Sequence, residues 1–172
     1  MAAESPEFTK ILAEWLPMTG NWSVCWRATR DGSSKVPTLT VVKVVKNGKS
    51  LIFGGFATTT WAGYEGSRAA PGSFLFSFHN NDDLAPFKSF LKNPNTATAI
   101  ESNKDSGPKF GIGPDLSIFD KTITQKTYGS YANLGISYQA PPGYSFGERK
   151  TQSLLAGSLA FTPAEVEVLY LN

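Results

Sequence analysis

His79 is the single histidine of this sequence and Cys25 its single cysteine, so the chain offers one candidate proton shuttle and one candidate thiol nucleophile. One imidazole cannot build a multi-histidine metal centre, and one thiol cannot build a paired-cysteine zinc site. No metal and no cofactor is therefore expected. His79 follows a phenylalanine-rich run and precedes Asn80-Asn81-Asp82-Asp83, which reads as a solvated turn. Cys25 stands between Trp22 and Trp26, with Arg27 two residues on and so on the same side of a strand. A guanidinium there would favour the thiolate, the form that reacts with peroxide. The competing reading is packing, because free cysteine is among the most buried residue types.

Two further groupings bear on chemistry. Phe110-Gly111-Ile112-Gly113-Pro114-Asp115 carries a Gly-x-Gly, but phosphate-binding glycines sit between a strand and a helix N-terminus, and here Leu116-Ser117-Ile118-Phe119 continues as a strand-like run. The glycines therefore read as a sharp bend or a close approach of two backbones, as do Gly54 and Gly55. All four are expected to mark structural turns. Glu165 and Glu167 are two apart and share one face of a strand; paired carboxylates can divide acid and base roles, and a solvated face explains them equally. Asp115, beside the bend, and Glu167, alternating away from Val166 and Val168, are expected at a binding surface together with Glu165. For Asp115 the alternative is that it satisfies buried backbone donors at the bend.

The elements that must position these groups are mostly strands. Phe8, Ile11, Leu12 and Trp15 share one helix face, with Pro6 at the first helical position and Pro17 as the stop. After that helix, Trp22 to Ala28 alternates as a half-buried strand. Thr38 to Val45 reads as a β-branched strand leading to Asn47-Gly48, the strongest short hairpin signal, with Ser50 to Phe53 returning. Ser73 to Phe78 places three phenylalanines on one face. Shorter strands are expected at Ala97–Glu101, Asp115–Phe119, Leu154–Phe161 and Val166–Leu171, the last after a single turn at Thr162-Pro163. Asp82–Leu91 reads as a short helix or an irregular crossing. Short strands punctuated by Gly and Pro predict a mainly β, α+β fold: a sandwich of two antiparallel sheets flanked by a few short helices.

Composition narrows the function. With 41% hydrophobic residues in 172, the chain has the make-up of one globular domain. The formal charge of +2 comes from scattered lysines and arginines, which argues against nucleic acid as a partner. The densest basic stretch, Lys43, Lys46 and Lys49, surrounds the Asn47-Gly48 turn, where charge protects a strand edge or, alternatively, binds an anion. No stretch approaches the roughly 20 apolar residues of a membrane span. A lone cysteine and no export signal point to the cytoplasm.

Pro37-Thr38-Leu39-Thr40-Val41-Val42-Lys43, Ile52-Phe53-Gly54-Gly55-Phe56 with Trp61, and Ser73-Phe74-Leu75-Phe76-Ser77-Phe78 with Asn80 look like consecutive signatures of the TLDc domain family. Gly107 to Gly113, Asp115-Leu116, Gly135-Ile136-Ser137-Tyr138, Leu155-Ala156-Gly157-Ser158 and Glu165 to Val168 continue the series in order. The expected organisation is an N-terminal extension and helix start at 1–8 and a TLDc-like domain at 9–172. The resemblance implies a β-sandwich, protection against oxidative damage and binding to a subunit of the vacuolar proton-pumping ATPase. Two departures stand out: the chain is short between Gly32 and Pro37, and Pro114 occupies a place where many members have histidine. The leading expectation is a non-enzymatic interaction module. A weak redox enzyme or peroxide scavenger using Cys25, and a small-ligand-binding sandwich, are the alternatives; oligomeric state is left open.

Overall fold

The computed structural model describes residues 6–18, 20–25, 37–61, 65–103, 106–119 and 129–171, without the side chains of Val24 and Cys25. Twelve strands form two six-stranded antiparallel sheets, as the alternation predicts. The first sheet contains β1 (Trp22–Cys25), β2 (Thr38–Lys46), β3 (Lys49–Ala57), β5 (Phe74–His79), β6 (Phe87–Phe90) and β12 (Glu165–Leu171). Its order is β1-β12-β2-β3-β5-β6, so the last strand fills the gap between the first two. The second sheet runs β11-β10-β9-β8-β7-β4. Its members are β4 (Gly66–Arg68), β7 (Ile100–Ser102), β8 (Lys109–Phe110), β9 (Leu116–Ser117), β10 (Ser130–Ala132) and β11 (Ala160–Phe161).

Each face of the first sheet is buried, and by different partners. Val42, Val44, Leu51, Phe53 and Leu75 meet Ile100, Phe110, Leu116 and Phe161 of the second sheet. On the outer face, Leu39, Val41, Phe56, Phe74, Phe76 and Phe78 lie under helix α1 (Pro6–Trp15), which contributes Phe8 and Leu12. This explains why β2 and β5 read as nearly continuous apolar runs: a strand covered on both faces has no solvent side on which to place polar groups. Phe8 stacks on Phe78 at 4.9 Å between ring centroids, and Trp15 stacks on the same ring at 5.6 Å.

The Asn47-Gly48 hairpin turns as its sequence requires, with φ of +50° and +78°. Gly54 and Gly55 are not turns, contrary to expectation: both lie within β3, paired with Val41 and Thr40. A Cβ at Gly54 would collide with the Thr40 carbonyl, and one at Gly55 would sit 2.6 Å from the Phe110 ring. Gly55 thus marks the point where the second sheet drives a ring against the backbone of the first.

Beyond β4, β8 and β10, which no expected strand anticipates, and residues 162–164, which form no helical turn before β12, two elements differ in kind. Phe87–Phe90 is a strand pairing with β5, not a helix or crossing. Leu154–Phe161 is not a strand throughout: α2 (Arg149–Leu154) ends there, Gly157 turns the chain at φ +74°, and only Ala160–Phe161 pairs. Leu154, Leu155 and Ala156 are consecutive and all buried, which no strand with a solvent face could achieve.

Candidate functional site

Asp115 is the centre of the most highly organised loop cluster. It follows the bend between β8 and β9, where Gly111 and Gly113 adopt φ of +80° and +103°, a region that favours glycine. A Cβ on Gly111 would strike the Asp115 carboxylate itself. That carboxylate is fully buried and faces a second loop from β10 onward. Gly135 and Ile136 each donate a backbone N–H to Oδ1 at 2.9 Å, Tyr138 donates to the same oxygen at 3.3 Å, and Ser137 donates to Oδ2 at 2.8 Å. Gly135, at φ +107°, lets successive amides converge on one anion.

Secondary contacts tie this cradle to the sheets. The Tyr138 hydroxyl and the Gly111 amide both donate to the Ala99 carbonyl, at 2.8 and 2.9 Å. Ile112 donates its amide to Ser137 Oγ at 3.0 Å, and the Lys92 ammonium donates to the Gly135 carbonyl. Burial pushes the Asp115 carboxyl above the usual carboxylate range, while the four amides pull the other way. Burial, reinforced by Asp115, pushes the Tyr138 phenol well up.

Above this buried anchor the same loops present apolar side chains to solvent. Ile112, at the tip of the bend, is 48% exposed, and Phe146 is 54% exposed. Ile136 is half-buried between them in the contact series: its Cδ1 would lie 2.7 Å from a Cβ on Gly113, and Phe146 packs against Gly135. Beside Phe146 a cleft of about 360 Å³ is lined by Lys92, Gly135, Gln139, Tyr144 and Ser145. The arrangement suits contact with another macromolecule: apolar knobs on loops fixed from below.

The residues singled out in the sequence take different places. Asp115 has the bend-satisfying position that was the alternative for it, and its side chain is not at the surface. Glu165 and Glu167 do share a face, the outer one of the first sheet, opposite Lys43 and Val41 of β2; Glu165 pairs with Lys43 at 3.0 Å. They are not part of the Asp115 cluster. His79 is exposed at the end of β5 and meets Phe8 edge-on. Arg27 and the Cys25 side chain, and with them the thiolate idea, lie outside the described residues. Among the described residues no group of three or more His, Cys, Asp or Glu could hold a metal ion, and no helix is long and apolar enough to cross a membrane. Ile112, Ile136 and Phe146 were missed, although the Gly-Ile-Gly bend was noticed; an apolar residue between two glycines, too isolated to belong to a strand, was the available signal.

A search of curated proteins returned no match. A family model for the TLDc domain matches residues 5–171, which spans the fold from α1 to β12 and includes both loops of the Asp115 cradle. The chain belongs to the TLDc domain family.

Proposed function

We propose that this TLDc domain is a binding and regulatory module without catalytic activity of its own, acting in the cytoplasm. Its partner in this reading is a subunit of the vacuolar proton-pumping ATPase, and its role is in protection against oxidative damage. The observation that carries the binding role is the surface above Asp115. Ile112, whose amide is held by Ser137 Oγ, and Phe146, which packs against Gly135, stand out beside the 135–138 segment whose amides are pinned to a buried carboxylate. Loops ordered in advance give up less freedom on binding, and affinity concentrates in a few such anchors. The family resemblance supplies the partner and the stress-protective role.

Retention of vacuolar ATPase subunits on the immobilised domain tests the proposal. Ile112→Ser and Phe146→Ser are expected to stay folded and to lose roughly 5- to 30-fold in affinity, the scale of a truncated anchor. Full retention by both folded variants would remove this surface from the proposal. Glu167→Ala belongs in the same assay; a loss there alone would move the contact to the outer face of β12. Peroxide consumption by wild type and Cys25→Ser tests the absence of catalysis. Equal, negligible rates are expected, and thiol-dependent turnover would favour the redox alternative.

A further inference from the structure

The lysines around the Asn47-Gly48 hairpin differ in their partners. Lys43 pairs with Glu165 at 3.0 Å and Lys49 with Asp83 at 2.6 Å. Lys46 lies between them in sequence, and among the described residues it has no carboxylate partner; its ammonium reaches only Ser158 Oγ, at 3.4 Å. The Ser158 hydroxyl in turn donates to the Ala160 carbonyl at 2.8 Å, leaving its lone pairs toward the ammonium. The stem of Lys46 runs over Gly157, where a Cβ would come within 2.9 Å of Lys46 Cγ. Gly157 therefore both turns the chain after α2 and leaves the track along which Lys46 lies. A lysine laid in one path sacrifices much of its rotamer freedom, and among the described residues no ion pair offsets that loss.

The ammonium borders a cleft of about 420 Å³. Val44, Ala156 and Phe161 supply apolar walls, and Ser158 and Thr162 add hydroxyls beside Lys46. The volume lies in the range of small-molecule sites. A cation without a carboxylate partner among the described residues, adjacent hydroxyls and an apolar wall select an anion with an apolar body. We propose that this cleft binds a small amphiphilic carboxylate, with its head on Lys46 and its chain along Val44, Ala156 and Phe161. The site is independent of the surface above Asp115: Lys46 is at the hairpin end of β2, whereas the cradle meets the first sheet at Leu91, just past the other end of β6.

Octanoate is the probe, with methyl octanoate as its uncharged counterpart. A ligand that binds only the folded state raises the melting temperature by mass action, so octanoate in excess should stabilise the wild type by a few degrees, about 2 °C or more. Methyl octanoate should not. Lys46→Met keeps most of the stem and removes the charge; it should weaken octanoate binding about ten- to a hundredfold, the scale of a charge-assisted hydrogen bond, while Lys46→Arg retains it. Equal stabilisation by the ester, an unaltered response of Lys46→Met, or no response of the wild type would each overturn the proposal. Amide chemical shifts of the wild type provide a reading that no variant can spoil: octanoate should perturb Lys46, Gly129, Ser158 and Phe161, and perturbations confined to other residues would reject the site.

Discussion

Asp115 shows how a single side chain can matter to a binding surface without touching a partner. Its carboxylate is the common acceptor for four backbone amides of the 135–138 loop. Removing an acceptor from buried donors costs about 1 to 3 kcal/mol for each group left unsatisfied. Asp115→Asn turns an amide NH₂ toward at least one of these donors and should lose about 1 to 3 kcal/mol in urea denaturation; Asp115→Ala should lose more. The pH dependence has a definite sign. Burial holds the folded-state pKa above the usual carboxylate range, so the contribution of this group is fully present below the unfolded pKa and is lost as pH rises through the folded one. The stability difference between wild type and Asp115→Asn should therefore shrink as pH rises from about 4 toward 7. A difference that widens over that range would show that the amides, not burial, dominate. The sequence revealed the bend through Gly111 and Gly113 but could not show which amides converge on Asp115, because the donors come from another strand's loop.

At the level of elements, legibility followed the strength of local periodicity. α1 was readable from its apolar stripe, β5 from its three phenylalanines and the β2–β3 hairpin from Asn47-Gly48, since in each the local signal and the tertiary role agree. The sequence does not decide β6, because Pro86 and the short Phe87–Phe90 run carry no clear period, and only pairing with β5 makes it a strand. α2 escaped notice because six residues barely complete a helical face; Thr151, Leu154 and Leu155 held the spacing that marks it. The bulge between Ile52 and Phe53 likewise depends on β5 opposite and has no mark of its own in β3. The readable helix also makes an energetic claim. Phe8 is 8% exposed and stacked on Phe78, so Phe8→Ala should destabilise the fold by about 3 kcal/mol, at the lower end for a phenylalanine because α1 lies on the outside. Chemical denaturation measures it, and a loss near zero would mean that α1 docks too weakly to belong to the cooperative fold.

The whole molecule couples a core built on two faces to loops that would ordinarily be its least stable parts. β12 lies between β1 and β2, so the chain's last described strand closes the sheet that its first strand begins, and unfolding either end opens the same sheet. The 135–138 loop is tied to both sheets: Asp115 and the Ala99 carbonyl hold it beside β9 and β7 of the second, and the bridge from Tyr138 to Leu91 reaches the first just past β6. Opening the loop therefore disturbs both sheets. Loops held only by solvent-exposed turns exchange their amide hydrogens quickly, whereas amides inside the cooperative unit exchange only when it opens. Gly135, Ile136, Ser137 and Tyr138 should accordingly show protection comparable to that of β2 and β3, and Gly143, an exposed turn, should not. Native-state hydrogen exchange decides the point residue by residue. Asp115→Asn should bring the loop's protection down toward that of Gly143 while leaving β2 and β3 protected. Fast exchange across 135–138 in the wild type would contradict a rigid platform under Ile136 and Phe146, and the binding proposal would lose the preorganisation on which it rests.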